Sequence, residues 1–192
     1  MHIFLQGPRN EGKSTVIRKI LEIISARRPL ILGGFFTWNG GKDDPHVYMR
    51  PADSVCDNDR GLLLDSLSVS NPGDILLASW DDTKRGLTSD ISAFDDCGAR
   101  LLSGSAGVDL VIMDELGFLE SKASLFKKAV LDTLERGVPV LGVLRLGDVP
   151  WHEDIKRSPL VSLYDVTMDN RERLPGELAE LLLRRMRLSH EE

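Results

Sequence analysis

Residues 7–14 read Gly7-Pro8-Arg9-Asn10-Glu11-Gly12-Lys13-Ser14, with Thr15 directly after them, and this stretch restricts the fold more than any other. It is the pattern G-x-x-x-x-G-K-S, which needs a strand before it and a helix after it. Gly7 and Gly12 allow backbone angles that a Cβ disfavours and let the main chain approach a polyphosphate. Successive N–H groups then form an anion nest, to which the following helix adds its positive end. Lys13 is placed to reach the β and γ phosphates, and the Ser14 hydroxyl to complete a Mg²⁺ shell. The flanks fit. His2 to Gln6 is a short apolar run, and Val16, Ile17, Ile20, Leu21, Ile23 and Ile24 recur at helical spacing.

The rest of the chain alternates in the same way. The first helix should stop near Ala26-Arg27-Arg28-Pro29, where cations suit a helix end and proline blocks continuation. A second strand is expected over Leu30 to Thr37. Asn39-Gly40-Gly41 marks a turn, and His46 to Met49 is the return of a hairpin. From Arg50 to Asp90 the pattern weakens to short strands and loops, including Leu62-Leu63-Leu64 and Ile75-Leu76-Leu77. A helix is expected over Ile91 to Ser103, then a strand through Val108 to Met113, apolar on both faces as at the centre of a parallel sheet. Helix 122–136, strand 138–144, a short helix opening at Pro150, strand 163–167 and helix 175–188 complete the series. Alternating strands and helices predict an α/β fold in three layers, a mostly parallel sheet with helices on both faces. At 192 residues this is one domain over 1–192.

Charge and cysteines narrow the function classes. A net charge of −6 without a basic stripe argues against nucleic acid as the main ligand. Cys56 and Cys97 are isolated, with no zinc spacing, and are expected reduced and partly buried, as in a cytoplasm. No leader is evident and no apolar run reaches the roughly 20 residues that cross a bilayer, so a cytoplasmic protein without a membrane partner is expected. No sequence feature names a protein partner. His46, His152 and His190 show no partner pattern and are expected on the surface. Trp38, Trp80 and Trp151 are expected to pack in loops.

The strand through Ile112 and Met113 ends in Asp114-Glu115. In P-loop proteins an Asp in this position holds the Mg²⁺ shell. Asp114 fits that role beside Ser14, and Glu115 is the candidate to polarise an attacking water. Arg145 lies just past the strand VPVLGVL, at the edge where open parallel sheets bind ligands. If that strand neighbours the Asp114 strand, Arg145 reaches the γ phosphate. Arg9, inside the loop, is a second cation for the same charge.

With both phosphate motifs in place, the chain resembles the small P-loop nucleoside-triphosphatases of the family that includes the human cancer-related nucleoside-triphosphatase. The resemblance is carried by GPRNEGKST, GGFFT at 33–37, IMDELGFLE at 112–120, LFKKAVLDTL at 125–134 and VTMDNRERLP at 166–175. It implies a RecA-like sheet and Mg²⁺-dependent hydrolysis of ATP, GTP and other NTPs to NDP and phosphate. Asn170 and Arg171 match the family's Asn-Arg, which either approaches the base or ribose or, for Asn170, caps the loop. The guanine-selecting N-K-x-D pattern is missing. Two other readings stay open: a kinase that transfers phosphate from ATP to a nucleotide or small molecule, and a slow nucleotide-dependent switch.

Overall fold

The computed structural model describes residues 1–41, 43–57, 61–62, 71–104 and 107–188. The P-loop joins β1 (His2–Gln6) to α1 (Lys13–Ser25). Strand β2 (Leu32–Asn39) turns back into β3 (His46–Pro51), which a 3-10 turn (Ala52–Val55) leaves. Two short strands, β4 (Cys56–Asp57) and β5 (Gly61–Leu62), pair with each other apart from the main sheet. The hairpin β6 (Ile75–Asp81) and β7 (Gly86–Ser89) precedes a helix that starts as a π segment (Ala93–Gly98) and continues as α2 (Ala99–Ser103). Then come β8 (Leu110–Leu116), α3 (Ser124–Leu134), β9 (Val140–Leu144), α4 (His152–Lys156), β10 (Val161–Asp165) and α5 (Leu174–Leu188).

The main sheet runs β10-β1-β9-β8-β2-β3-β6-β7. Its first five strands are parallel, and the last three add on antiparallel. Alternation along each strand sorts side chains between two cores. Ile3, Leu5, Leu110 and Ile112 face α1 and α5, where they meet Ile17, Ile20, Leu178 and Leu182. Phe4, Val111 and Met113 face the other way, onto Phe126 and Val130 of α3. The expected three layers are present. Gly142 on β9 is a matter of space, since a Cβ there would stand 2.4 Å from the Phe4 ring.

Several expectations shift. The hairpin after Asn39 forms as expected, yet β2 starts and ends two residues later than expected. Strand β10 starts and ends two residues early, because β1 pairs His2 with Val161 and Gln6 with Asp165. The weak middle region does hold short strands and turns, although residues 63–64 of its leucine run lie outside the described residues. Trp38 and Trp80 sit in strands rather than loops. Trp38 stacks on Tyr48 across the hairpin, with ring centroids 4.7 Å apart. Among the described residues Cys97 is a free thiol, and no helix is long and apolar enough to cross a membrane.

A charged pair lies inside this half of the molecule. Arg50 on β3 is 1% exposed and grips Asp74 with two hydrogen bonds of 2.6 Å, Nε to Oδ1 and Nη2 to Oδ2. The Trp38 ring lies 5.8 Å from the guanidinium. Burial works to raise the Asp74 carboxyl, but the Arg50 contacts and the Asn71 N–H outweigh it and hold it below the usual range.

The expectation for His152 is overturned: it is 1% exposed, packed edge-on against Trp151, and burial pushes it down to about 4. His190 lies outside the described residues. His2 is as deeply buried, and desolvation followed by the amino terminus and Arg185 brings it to about 4, against an opposing hydrogen bond to the Leu134 carbonyl. Both fold as neutral rings, whereas the unfolded chain takes up their protons near pH 6.5. Their stabilisation is therefore present above pH 6.5 and lost as pH falls towards 4. We expect a loss on the order of 1–3 kcal/mol per histidine across that window. Urea midpoints at the two ends of the window check this, and His152→Leu should show the smaller drop.

Candidate active site

The P-loop leaves β1 at Gly7, whose φ of 151° and neighbour Val166 exclude a side chain: a Cβ would lie 2.6 Å from the Val166 carbonyl. Gly12, at φ 93°, turns the chain into α1. Between them Pro8, Arg9 and Asn10 are exposed, and Glu11 is half-buried with its N–H on the Pro8 carbonyl. Lys13 is only 8% exposed and donates to the carbonyls of Gly7 and Pro8, at 2.9 and 2.8 Å, which fixes its ammonium over the loop.

Two strands away β8 brings in its carboxylates. Asp114 is buried at the sheet edge beside Ser14. Burial and then the neighbouring Glu115 push its carboxyl up to about 7, against the opposing pull of Lys13 and a hydrogen bond from Ser14. The β8–β9 register shifts between Met113 and Leu116, and Glu115 lines the cleft. Its N–H is held by the Thr37 hydroxyl at 2.9 Å. Strand β9 lies between β1 and β8, so Arg145 emerges between the P-loop and the carboxylates. Its guanidinium lies 3.8 Å from Glu115 and 4.8 Å over the Phe118 ring.

These groups line one cleft of about 630 Å³ that takes in Arg9, Lys13, Ser14, Thr15, Glu115 and Arg145. Ser14 and Asp114 form a hard oxygen pair. Among the described residues no group of three His, Cys, Asp or Glu could hold a metal ion by itself. That donor set suits Mg²⁺, which takes one or two protein oxygens and completes its shell with water and phosphate, and it does not suit an all-protein cage.

Asn170 and Arg171 stand elsewhere, in the loop between β10 and α5. Asn170 caps that loop: its Oδ1 accepts the Thr167 N–H at 2.9 Å and its Nδ2 donates to the Asp165 carbonyl at 2.7 Å. Arg171 flanks the far side of the P-loop, in a pocket of about 210 Å³ with Gly12 and Thr15.

A family model described as NTPase matches residues 2–179. The chain belongs to this NTPase family. Membership makes it a hydrolase of nucleoside triphosphates. The nucleoside-triphosphatase THEP1 of Methanosarcina barkeri is 28% identical over 182 residues, 93% of this chain and 95% of its own. The human cancer-related nucleoside-triphosphatase is 24% identical over 194 residues, 90% of this chain and 92% of its own. The crystal structure of THEP1 from the hyperthermophile Aquifex aeolicus shares the fold, with a TM-score of 0.69 at 20% identity over 95% of this chain and 99% of that one.

In this NTPase the Asn170 amide is already committed to backbone partners, so its removal should act on stability first. We expect Asn170→Ala to cost about 0.5–2 kcal/mol, measured by urea unfolding, with a KM for ATP that changes little. Other contributors escaped the sequence reading. Glu120 is buried, raised to about 7 by that burial, and accepts the Gly117 N–H. Trp151, expected in a loop, is buried and donates its indole N–H to the Gly117 carbonyl at 3.0 Å. Together they clamp the turn that carries Phe118 beneath Arg145. Glu120 had a signal in IMDELGFLE and Thr37 one in GGFFT, whereas Trp151 had none.

Proposed function

We propose that this NTPase is Mg²⁺-dependent and hydrolyses ATP, GTP and other nucleoside triphosphates to the diphosphate and phosphate. One observation carries the reading: Lys13, Ser14, Glu115 and Arg145, drawn from three strand ends, line one cleft, and Asp114 stands beside Ser14 and Glu115 where that cleft deepens. The loop amides and Lys13 bind the β and γ phosphates. Ser14 and Asp114 hold Mg²⁺, which neutralises phosphate charge when bound. Glu115 orients the attacking water and takes its proton, and Arg145 stabilises the charge on the transferred group. Arg171, beyond Gly12 and Thr15, borders the base and ribose. No N-K-x-D segment is available to select guanine, so broad base tolerance is expected. A cytoplasmic setting suits the free Cys97 thiol.

Phosphate release from ATP, GTP, CTP and UTP tests this. We expect release from all four, lost on adding EDTA and restored by excess Mg²⁺. Release that survives EDTA would remove the metal from the reading, and tight nucleotide binding without release would remove hydrolysis.

A further inference from the structure

The cleft continues beyond Glu115. It opens over the ends of β2, β3, β6 and β7 into a recess of about 140 Å³, walled by Val47, Leu77, Leu87 and Phe94 at its outer end, with Ser14, Asp114 and Glu115 at its inner end. Strand order fixes its direction. From β1 the carboxylates and then this recess lie to one side, while Arg171 and the Gly12–Thr15 pocket lie towards β10 on the other. A triphosphate with its β and γ groups at Lys13 and Ser14 therefore runs its ribose and base away from the recess.

Hydrolysis has no use for such a wall. A single water occupies about 30 Å³, and a cavity of about 150 Å³ accepts a benzene ring. Leu87 is 37% exposed at the recess and Phe118 47% exposed at its mouth. Apolar side chains beside a few convergent polar groups are the composition of a small-molecule site. Ser14, Glu115 and Arg145 stand where the two compartments meet, lining both.

We propose that the recess is an acceptor subsite, and that the enzyme transfers the γ-phosphoryl group to the hydroxyl of a small molecule with an apolar end as well as to water. This rests on the NTPase reading of the cleft. The apolar end packs on Val47, Leu77, Leu87 and Phe94, and the hydroxyl faces Glu115. Its O–H proton passes to the Glu115 carboxylate while its oxygen bonds to the γ phosphorus. The bond from that phosphorus to the β–γ bridging oxygen breaks. The products are a phosphate monoester, the nucleoside diphosphate and a proton released to solvent. An acceptor hydroxyl in the place of the water excludes hydrolysis in that turnover.

Wild type with Mg²⁺ and γ-labelled ATP is incubated with rising benzyl alcohol or cyclohexylmethanol, and labelled phosphate and labelled ester are separated. Ester should rise as phosphate falls by a matching amount. Val47 lines the recess and not the phosphate cleft; Val47→Thr puts a hydroxyl in its wall and Val47→Leu fills part of it. Each should keep phosphate release and lower ester yield by about tenfold, the affinity equivalent of one apolar side-chain contact. Phosphate alone at an unchanged rate would overturn the subsite. Inhibited phosphate release without ester would overturn the transfer. Failure of wild type to yield either product would overturn the NTPase reading instead, and this proposal with it.

Discussion

Glu115→Gln should bind ATP as wild type does and release phosphate between about a hundredfold and ten-thousandfold more slowly. Glutamine keeps the size of the side chain, and the Thr37 hydroxyl still holds the backbone at that point. What disappears is the basic oxygen proposed to take the proton of the attacking water. That contact forms chiefly in the transition state, so kcat falls while KM stays nearly constant. Arg145 keeps its place through Phe118 and through its N–H to the Leu116 carbonyl, at 2.8 Å. Single-turnover phosphate release beside a fluorescent-nucleotide titration separates the two quantities. Near-normal turnover would assign the water to another group.

The second large effect is on stability. Asp74→Ala should destabilise the fold by about 3–5 kcal/mol, because it removes the two charge-assisted hydrogen bonds that the buried Arg50 guanidinium makes to this carboxylate. A domain of this kind has about 5–15 kcal/mol in all. Exposed pairs such as Lys19–Glu172 and Arg27–Glu180 are each worth about 0–1 kcal/mol. Burial decides the difference, since both side chains of the Arg50–Asp74 pair are almost wholly buried, at 2% and 3% exposure. Asp74→Asn keeps an acceptor and should fall between wild type and Asp74→Ala in urea unfolding. A loss below about 1 kcal/mol would show that water reaches Arg50 in the variant.

How much of this was legible varies with the kind of information each residue carries. The P-loop, α1 and β8 were plain, because a fixed glycine spacing, a helical stripe and a run apolar on both faces each have one structural reading. The Asp114-Glu115 end was legible for the same reason. Arg145 was conditional, since its value depends on β9 lying between β1 and β8, and strand order is a non-local property. Thr37 stood out only as the end of GGFFT, and its hold on the Glu115 N–H stayed hidden until β2 was known to pair with β8. Asn170 held two readings, and only its hydrogen bonds to Thr167 and Asp165 show the capping. His152 misled because a histidine between polar neighbours reads as surface, while the edge contact with Trp151 buries it.

The most direct test of the cleft is steady-state phosphate release from ATP with Mg²⁺, wild type beside Lys13→Ala. We expect measurable release by wild type and a loss of roughly a hundredfold to a thousandfold in the variant, since Lys13 is proposed to stabilise charge on the transferred group. Release by Lys13→Ala at the wild-type rate would place the chemistry elsewhere in the molecule and contradict the assignment of this cleft.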